Sequence, residues 1–208
     1  MKIDGFFPIP VSYNKIPREL NKNETDFINN QRKNAISNTG NLVSKNKYIL
    51  DAHELQDLKS ILTKHVNEYF KIVFEPEKNV ELYITNSWLN WTENDEFHHI
   101  HTHPNSLISG VLYVETVHSD SINFFNPNNI LGNINIKTIE TGKWSCEKWR
   151  CPVNKNHVLL FPSTLRHNVD HRCWSRDSTR ISLAFNTWFK GFIGDPSGSN
   201  MLEHNLSI

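Results

Sequence analysis

The chain has 208 residues, and its 22 Lys+Arg balance 22 Asp+Glu to a formal net charge of zero. That balance argues against a nucleic-acid binder working through a broad basic field, and no stretch approaches the ~18 to 20 apolar residues of a membrane span. With 38% hydrophobic and 21% charged residues the composition is that of an ordinary globular protein, but 11 His outnumber 8 Gly, and four of them crowd into His98 to His103.

The N-terminus, MKIDGFFPIP, has a short apolar run broken twice by Pro and lacks the features of a signal peptide. Pro17-Arg18-Glu19-Leu20 opens a weakly periodic helical segment to about Asn34. Ser37 to Lys47, rich in Asn, Ser and Gly, reads as a loop. Asp51 then stands as an N-cap before Leu55, Leu58, Ile61, Leu62, His65, Val66, Tyr69 and Phe70. Spacings of three and four put these on one face of an amphipathic helix that ends near Phe74, before Glu75-Pro76.

From Val80 the period changes to two. Leu82, Ile84 and Trp88 alternate with polar residues, and short strands are predicted over Phe97–His103, Leu107–Thr116, Ser121–Phe125, Asn133–Ile139, Lys143–Arg150, His157–Phe161 and Arg180–Phe189. A helical start followed by many short strands predicts a mainly β fold, a sandwich or jelly roll with N-terminal helices on one sheet. Residues 1–79 form the helical support, 80–190 the β core, and 191–208 a loose tail rich in Gly, Ser and Asn. Cys146, Cys151 and Cys173 are odd in number and fit no zinc spacing, so they read as free thiols in a reducing cytosol and the chain as cytoplasmic.

On a strand over Glu96 to Pro104, His99, His101 and His103 share one face, and His98, Ile100 and Thr102 the other. Imidazoles two residues apart start ~6.6 Å apart and can share a metal, whereas those four apart start ~13 Å apart and cannot. Sites in barrels gather at strand ends, so His101 and His103, just before Pro104, are favoured over His99 and His101. Neutral imidazole is the commonest transition-metal ligand near pH 7. A third ligand comes from elsewhere, and His167, just past the apolar strand Val158 to Pro162, is the best placed; His171, between Asp170 and Arg172, reads as a surface residue.

In Arg180 to Asn186, period two separates Ile181, Leu183 and Phe185 from Arg180, Ser182, Ala184 and Asn186. The polar face either lies in solvent or lines a lumen where Arg180 clamps a carboxylate through paired hydrogen bonds. A local cluster of Lys143, Lys148, Arg150 and Lys155 interleaves with Trp144 and Trp149, which leaves a local nucleic-acid contact open beside the simpler reading of a packed or solvated strand.

Three blocks together resemble a family of bacterial and viral 2-oxoglutarate/Fe(II) oxygenases: His101-Thr-His103-Pro-Asn-Ser with Ser109-Gly110-Val-Leu-Tyr113, Phe161-Pro162-Ser163 with His167, and Arg180-Ile-Ser182 with Phe185-Asn186. The resemblance covers roughly Ser87 to Asn186 and includes the Ser-Trp-Leu-Asn lead-in at Ser87 to Asn90. It implies a double-stranded β-helix, the cupin-like jelly roll, with 80–190 as its catalytic core. It also implies Fe(II) on His101, His103 and His167, and 2-oxoglutarate as co-substrate with dioxygen. Arg180 would hold the distal carboxylate of 2-oxoglutarate, with Tyr113 and Ser182 assisting. The expected activity is hydroxylation of a small-molecule, amino-acid or protein substrate with release of succinate and CO2. Trp88, Trp91, Phe124 and Phe125 are candidates to wall the site or to fill the core.

One position departs from the wider superfamily, whose usual triad is two His and one carboxylate: here His103 stands in the acidic slot. Asp95, Glu96, Glu115 and Asp120 are the nearby acids, and none lies two residues from His101. Two other readings follow, a three-histidine metal dioxygenase or cupin-like enzyme that uses no 2-oxoglutarate, and a non-catalytic jelly-roll binding module.

Overall fold

The computed structural model describes residues 1–76, 80–128, 134, 136–137, 142, 144–171, 178–194 and 201–204. Two antiparallel sheets carry the fold. The larger runs, in spatial order, β1 (Ser12–Lys15), β9 (His157–Pro162), β6 (Ile108–Glu115), β11 (Arg180–Ile193), β4 (Val80–Thr92), β3 (Asn41–Val43) and β2 (Ile36–Asn38), with β12 (Leu202–His204) on the far end of β11. The smaller runs β5 (His98–His101), β10 (His167–Val169), β7 (Ser121–Phe125) and β8 (Lys148–Pro152). Val111, Tyr113, Leu159, Phe161 and Ala184 of the larger sheet cluster with Ile122 and Phe124 of the smaller, so the space between the sheets is an apolar core. This is the expected jelly-roll sandwich.

Helix α1 (Lys22–Gln31) begins later than the sequence pattern predicts, because Asn21 and Glu24 close a reciprocal capping box and fix the start. Glu24 is fully buried there and receives both Nη atoms of Arg18, at 2.7 and 2.6 Å. Helix α2 (Gln56–Phe74) also starts later than predicted. Asp51 does not cap it, since Ile49–Asp51 and His53–Leu55 form two short 3-10 turns first. Its end is as expected, with Glu75 in the left-handed region before Pro76. The predicted stripe holds: Leu58, Leu62, Val66, Tyr69 and Phe70 are buried. They pack on the outer face of the larger sheet against residues such as Leu82, Leu183 and Phe185. At ~1.5–3 kcal/mol per buried side chain, this stripe anchors the helix.

Strand β11 is therefore covered on both faces. Leu183 and Phe185 meet the helix side, while Arg180 and Ser182, each 3% exposed, face the sandwich interior. Of the two sequence readings for its polar face, the lumen is the observed one. Gly110 on β6 is required by this packing, because a Cβ there would collide with the ring of Phe185.

Several expectations change. Ser37 to Lys47 is not wholly a loop, since β2 and β3 form a hairpin on the edge of β4. A bulge in β4, between Ile84 and Ser87, reverses its phase, so Leu82 and Ile84 face the helices but Trp88 faces the lumen. Trp91 is fully buried on the helix side and walls no site. The predicted strand Lys143–Arg150 begins only at Lys148, behind a turn at Trp144-Ser145. Asn133–Ile139 falls almost wholly outside the described residues. In the tail, Leu202–His204 is a strand rather than loose chain. Among the described residues no helix is long and apolar enough to cross a membrane. Cys146 and Cys151 are free thiols, and Cys173 lies outside the described residues.

Candidate metal centre

The smaller sheet brings the histidines together. His167 opens β10, directly opposite His101 of β5, and His103 follows two residues after β5 ends. The backbone N–H of His103 donates to the Ser163 carbonyl at 2.9 Å, which ties that segment to the loop preceding His167. One ligand atom from each of His101, His103 and His167 lies within 4.8 Å of the others.

The strand was predicted to run to His103 with strict alternation. It stops at His101, and an irregularity in the β5–β10 pairing puts four residues of β5, His98 to His101, against three of β10, His167 to Val169. His98, expected on the opposite face, consequently lines the same cleft as the three histidines and stacks on His101 at 4.5 Å between ring centroids.

Each of the three rings has its Nδ1 held by an oxygen. His101 Nδ1–H donates to the His99 carbonyl at 2.8 Å, His167 Nδ1–H to the Leu165 carbonyl at 2.9 Å, and His103 Nδ1–H to Asn186 Oδ1 at 2.7 Å. Carbonyl oxygens only accept, so the proton sits on Nδ1 and the Nε2 lone pair is left for a ligand. The Nε2 atoms of His103 and His167 face each other at 3.2 Å. Two lone pairs at that distance repel unless a cation lies between them, and neighbouring ligands on a divalent ion with ~2.1 Å bonds are separated by about as much. Burial lowers the pKa of all three, His103 to about 4 and His167 to about 3, with the neighbouring His101 adding to both shifts. The rings are neutral at pH 7, as metal binding requires. Trp88 stacks on His103 at 5.5 Å, and Phe161 meets His167 edge-on at 4.8 Å, so aromatic walls close the site on two sides. Phe124 lies 6.2 Å from His167, and Phe125 faces a separate cavity.

The remaining predicted residues line the same cleft: Arg180, Tyr113 and Ser182. The Arg180 guanidinium lies 5.1 Å from the ring centroid of Tyr113, and its Nη1 reaches Ser182 Oγ at 3.4 Å. Tyr113 is fully buried, yet its Oη has no hydrogen-bond partner among the described residues. A buried hydroxyl without a partner beside a guanidinium is a donor set suited to a carboxylate.

None of the four nearby acids joins the histidines. Glu96 accepts the Glu93 N–H at 2.7 Å, Glu115 pairs with Lys155 at 2.6 Å, and Asp95 is largely exposed. Asp120 is buried but bonds Arg180, with Nε donating to both carboxylate oxygens at 3.0 Å. Sequence reasoning weighed Asp120 only as a substitute ligand and gave Asn186 no role. The period-two pattern of β11, which puts Asn186 on the face of Arg180, is the signal that could have found the second. Of the basic cluster, Lys143 lies outside the described residues, Lys148 pairs with Asp170 at 3.0 Å, and Arg150 donates to the Ser119 carbonyl at 2.8 Å.

Residues 86–186 match the model of the family described as "Putative 2OG-Fe(II) oxygenase". No curated protein matches the sequence. Among solved structures, an oxidoreductase of the 2OG-Fe(II) oxygenase family from Burkholderia pseudomallei is similar at 13% identity, with TM-score 0.55, over 85% of this chain and 84% of that one. HygX from Streptomyces hygroscopicus, with nickel, 2-oxoglutarate and hygromycin B bound, is similar at 9% identity, with TM-score 0.55, over 86% of this chain and 82% of that one. The non-heme alpha-ketoglutarate-dependent carbocyclase SnoK from nogalamycin biosynthesis is similar at 12% identity, with TM-score 0.55, over 84% and 79%. At these identities the structural likeness establishes the double-stranded β-helix fold.

Proposed function

We propose that this chain, whose residues 86–186 match the 2OG-Fe(II) oxygenase family, is such an oxygenase, using Fe(II), 2-oxoglutarate and dioxygen to hydroxylate a small-molecule substrate with His101, His103 and His167 as its metal ligands. The observation that carries the ligand assignment is that all three Nδ1 protons are taken by protein oxygens while the Nε2 atoms of His103 and His167 face each other and one ring nitrogen of His101 lies within 4.8 Å of its counterparts. Fe(II) held by His101, His103 and His167 would supply dioxygen activation, with one oxygen atom passing to a substrate C–H and the other to 2-oxoglutarate as it becomes succinate and CO2.

The protein's own part is positioning. Arg180 Nη atoms, Tyr113 Oη and Ser182 Oγ supply the hydrogen bonds for the distal carboxylate of 2-oxoglutarate. Trp88, Phe124 and Phe161 crowd the histidine rings and exclude water from them. Residues 80–190 act as the catalytic core and 1–79 as its support. HygX was solved with hygromycin B bound, which favours a small-molecule substrate over a protein one. Free Cys146 and Cys151 support a place in the reducing cytosol.

The test is anaerobic titration with Fe(II) and 2-oxoglutarate, followed by admission of air. A visible metal-to-ligand charge-transfer band and succinate formation are expected. Absence of both overturns the proposal, and turnover that survives Arg180→Ala without 2-oxoglutarate replaces it with the co-substrate-free dioxygenase.

A further inference from the structure

A second and larger cavity, about 680 Å³, lies beside the metal cleft. The arm Gly5 to Val11 forms one side and the β7–β8 region the other. Its lining carries the rings of Phe6, Phe7, Phe124, Phe125, Trp144 and Trp149, and no charged residue lines it among those described. Arg166, whose guanidinium lies 5.4 Å from the Phe125 ring centroid, is exposed and not in the lining. The polar side chains available are the amides of Asn126 and Asn128 and the thiol of Cys146.

The cavity shares a wall with the histidines. Phe124 is the register partner of His167, and Leu165, also in the lining, holds the His167 Nδ1 proton through its carbonyl. Phe6 and Phe7 are 82% and 88% exposed at its rim, and Phe7 has a left-handed backbone (φ 59°) that bulky residues avoid. Two rings left in water beside an apolar hollow lose free energy that an apolar occupant would restore.

We propose that this cavity binds the body of the substrate, and that the substrate is an uncharged aromatic or polycyclic molecule of drug-like size, for which pockets of ~300–1,000 Å³ are usual. This rests on the oxygenase reading above. The test has two arms. In metal-free full-length protein, the uncharged aromatic probe N-phenyl-1-naphthylamine should show a saturable rise in emission that Trp144→Ala and Trp149→Ala each weaken by about tenfold or more. No saturable rise, or unchanged binding in both variants, overturns the proposal. In the second arm, with Fe(II), 2-oxoglutarate and air, uncharged polycyclic aromatics should raise succinate formation, and charged amino acids should not. The reverse preference overturns it. His167→Ala should abolish succinate and leave probe binding intact; in the wild-type protein, probe binding without succinate formation counts against the oxygenase reading, and succinate formation without probe binding counts against the pocket.

The buried Asp120–Arg180 pair carries a second inference independently; both side chains are 3% exposed. The usual two-histidine, one-carboxylate site and its clamping arginine add to +2 with a divalent metal. Here the triad has lost its negative charge, and Asp120 returns one on the arginine, so the sum is again +2, matching the two negative charges of 2-oxoglutarate. We infer that Asp120 is a positioning residue that aims the Arg180 Nη atoms into the cleft and offsets the missing ligand carboxylate.

The test is the affinity of the Ni(II)-loaded protein for 2-oxoglutarate by calorimetry, with no turnover involved. His103→Asp alone should weaken binding about tenfold or more, and adding Asp120→Asn should recover most of that loss. Asp120→Ser serves as a second charge deletion should the Asn variant melt early. Losses that simply add in both double variants overturn the inference.

Discussion

Asn186 Oδ1 accepts the Nδ1 proton of His103 at 2.7 Å, and this one bond decides which nitrogen of His103 faces the other imidazoles. Asn186 is itself fixed, because Ser109 Oγ donates to the same oxygen at 2.8 Å and Ser163 Oγ sits 2.8 Å from Ser109 Oγ. All of these polar atoms are buried, so each depends on the others for hydrogen bonds.

Asn186→Ala should therefore reduce metal affinity by about 10- to 100-fold, the usual penalty for removing the partner that orients a ligating histidine. Asn186→Asp should keep the affinity or strengthen it, since a carboxylate holds the same proton. Competition of Zn(II) between the protein and a chromophoric chelator measures both. Equal affinity in wild type and Asn186→Ala would show that His103 needs no orienting partner.

Tyr113→Phe should move two observables in opposite directions. The Tyr113 hydroxyl is buried without a partner among the described residues, and burial pushes its pKa up, so it is a neutral donor open to a ligand. Removing it should leave the melting temperature of the co-substrate-free protein unchanged or raised, because an unsatisfied buried polar group is destabilising. It should weaken 2-oxoglutarate by several-fold, about 1 kcal/mol for one hydrogen bond. Weaker 2-oxoglutarate binding accompanied by a lower melting temperature would instead mark Tyr113 as structural.

Much of this site is legible in the chain because short-range patterns carry it. His101 and His103 are two residues apart before a proline, and period two on β11 groups Arg180, Ser182 and Asn186. What the chain hides are departures from that period. The bulge in β4 turns Trp88 inward, and the irregularity in β5 brings His98 into the cleft; neither leaves a mark in composition. The Asp120–Arg180 pair joins residues 60 positions apart, which spacing alone does not reveal. The start of α1 could have been read more closely, since Asn21 with Glu24 three residues on is a capping signature.

Gly110→Ala should be strongly destabilising although it adds only one methyl group. The ring of Phe185 occupies the space a Cβ would need, and Phe185 is fully buried against the helix side. Overpacking of this kind costs ~1–3 kcal/mol, which for a chain of this size lowers the melting temperature by several degrees. The double change Gly110→Ala with Phe185→Leu should recover part of the loss, because the smaller side chain vacates the space. A calorimetric melt of the four proteins decides this, and a harmless Gly110→Ala would mean the strand can shift to accept the methyl.

Acid should destabilise the metal-free protein in a defined window. The cleft histidines are neutral in the fold, their pKa values depressed mainly by burial, to about 4 for His103 and about 3 for His167. In the unfolded chain each titrates near ~6.5. Between ~6.5 and the folded values the unfolded state binds more protons, so stability is fully present above ~6.5 and is lost as the pH falls toward 4. Each such ring contributes a slope of up to about 1.4 kcal/mol per pH unit. Urea midpoints of the metal-free protein should therefore be level between pH 8 and 7 and drop steeply between pH 6 and 4.5. The drop should be shallower in His167→Leu, which removes one of the titrating rings. Bound Zn(II), which needs the same neutral rings, should shift the whole decline to lower pH. Level midpoints down to pH 5 would mean that these histidines take up protons as readily in the fold as in the unfolded chain, and that burial does not hold them neutral.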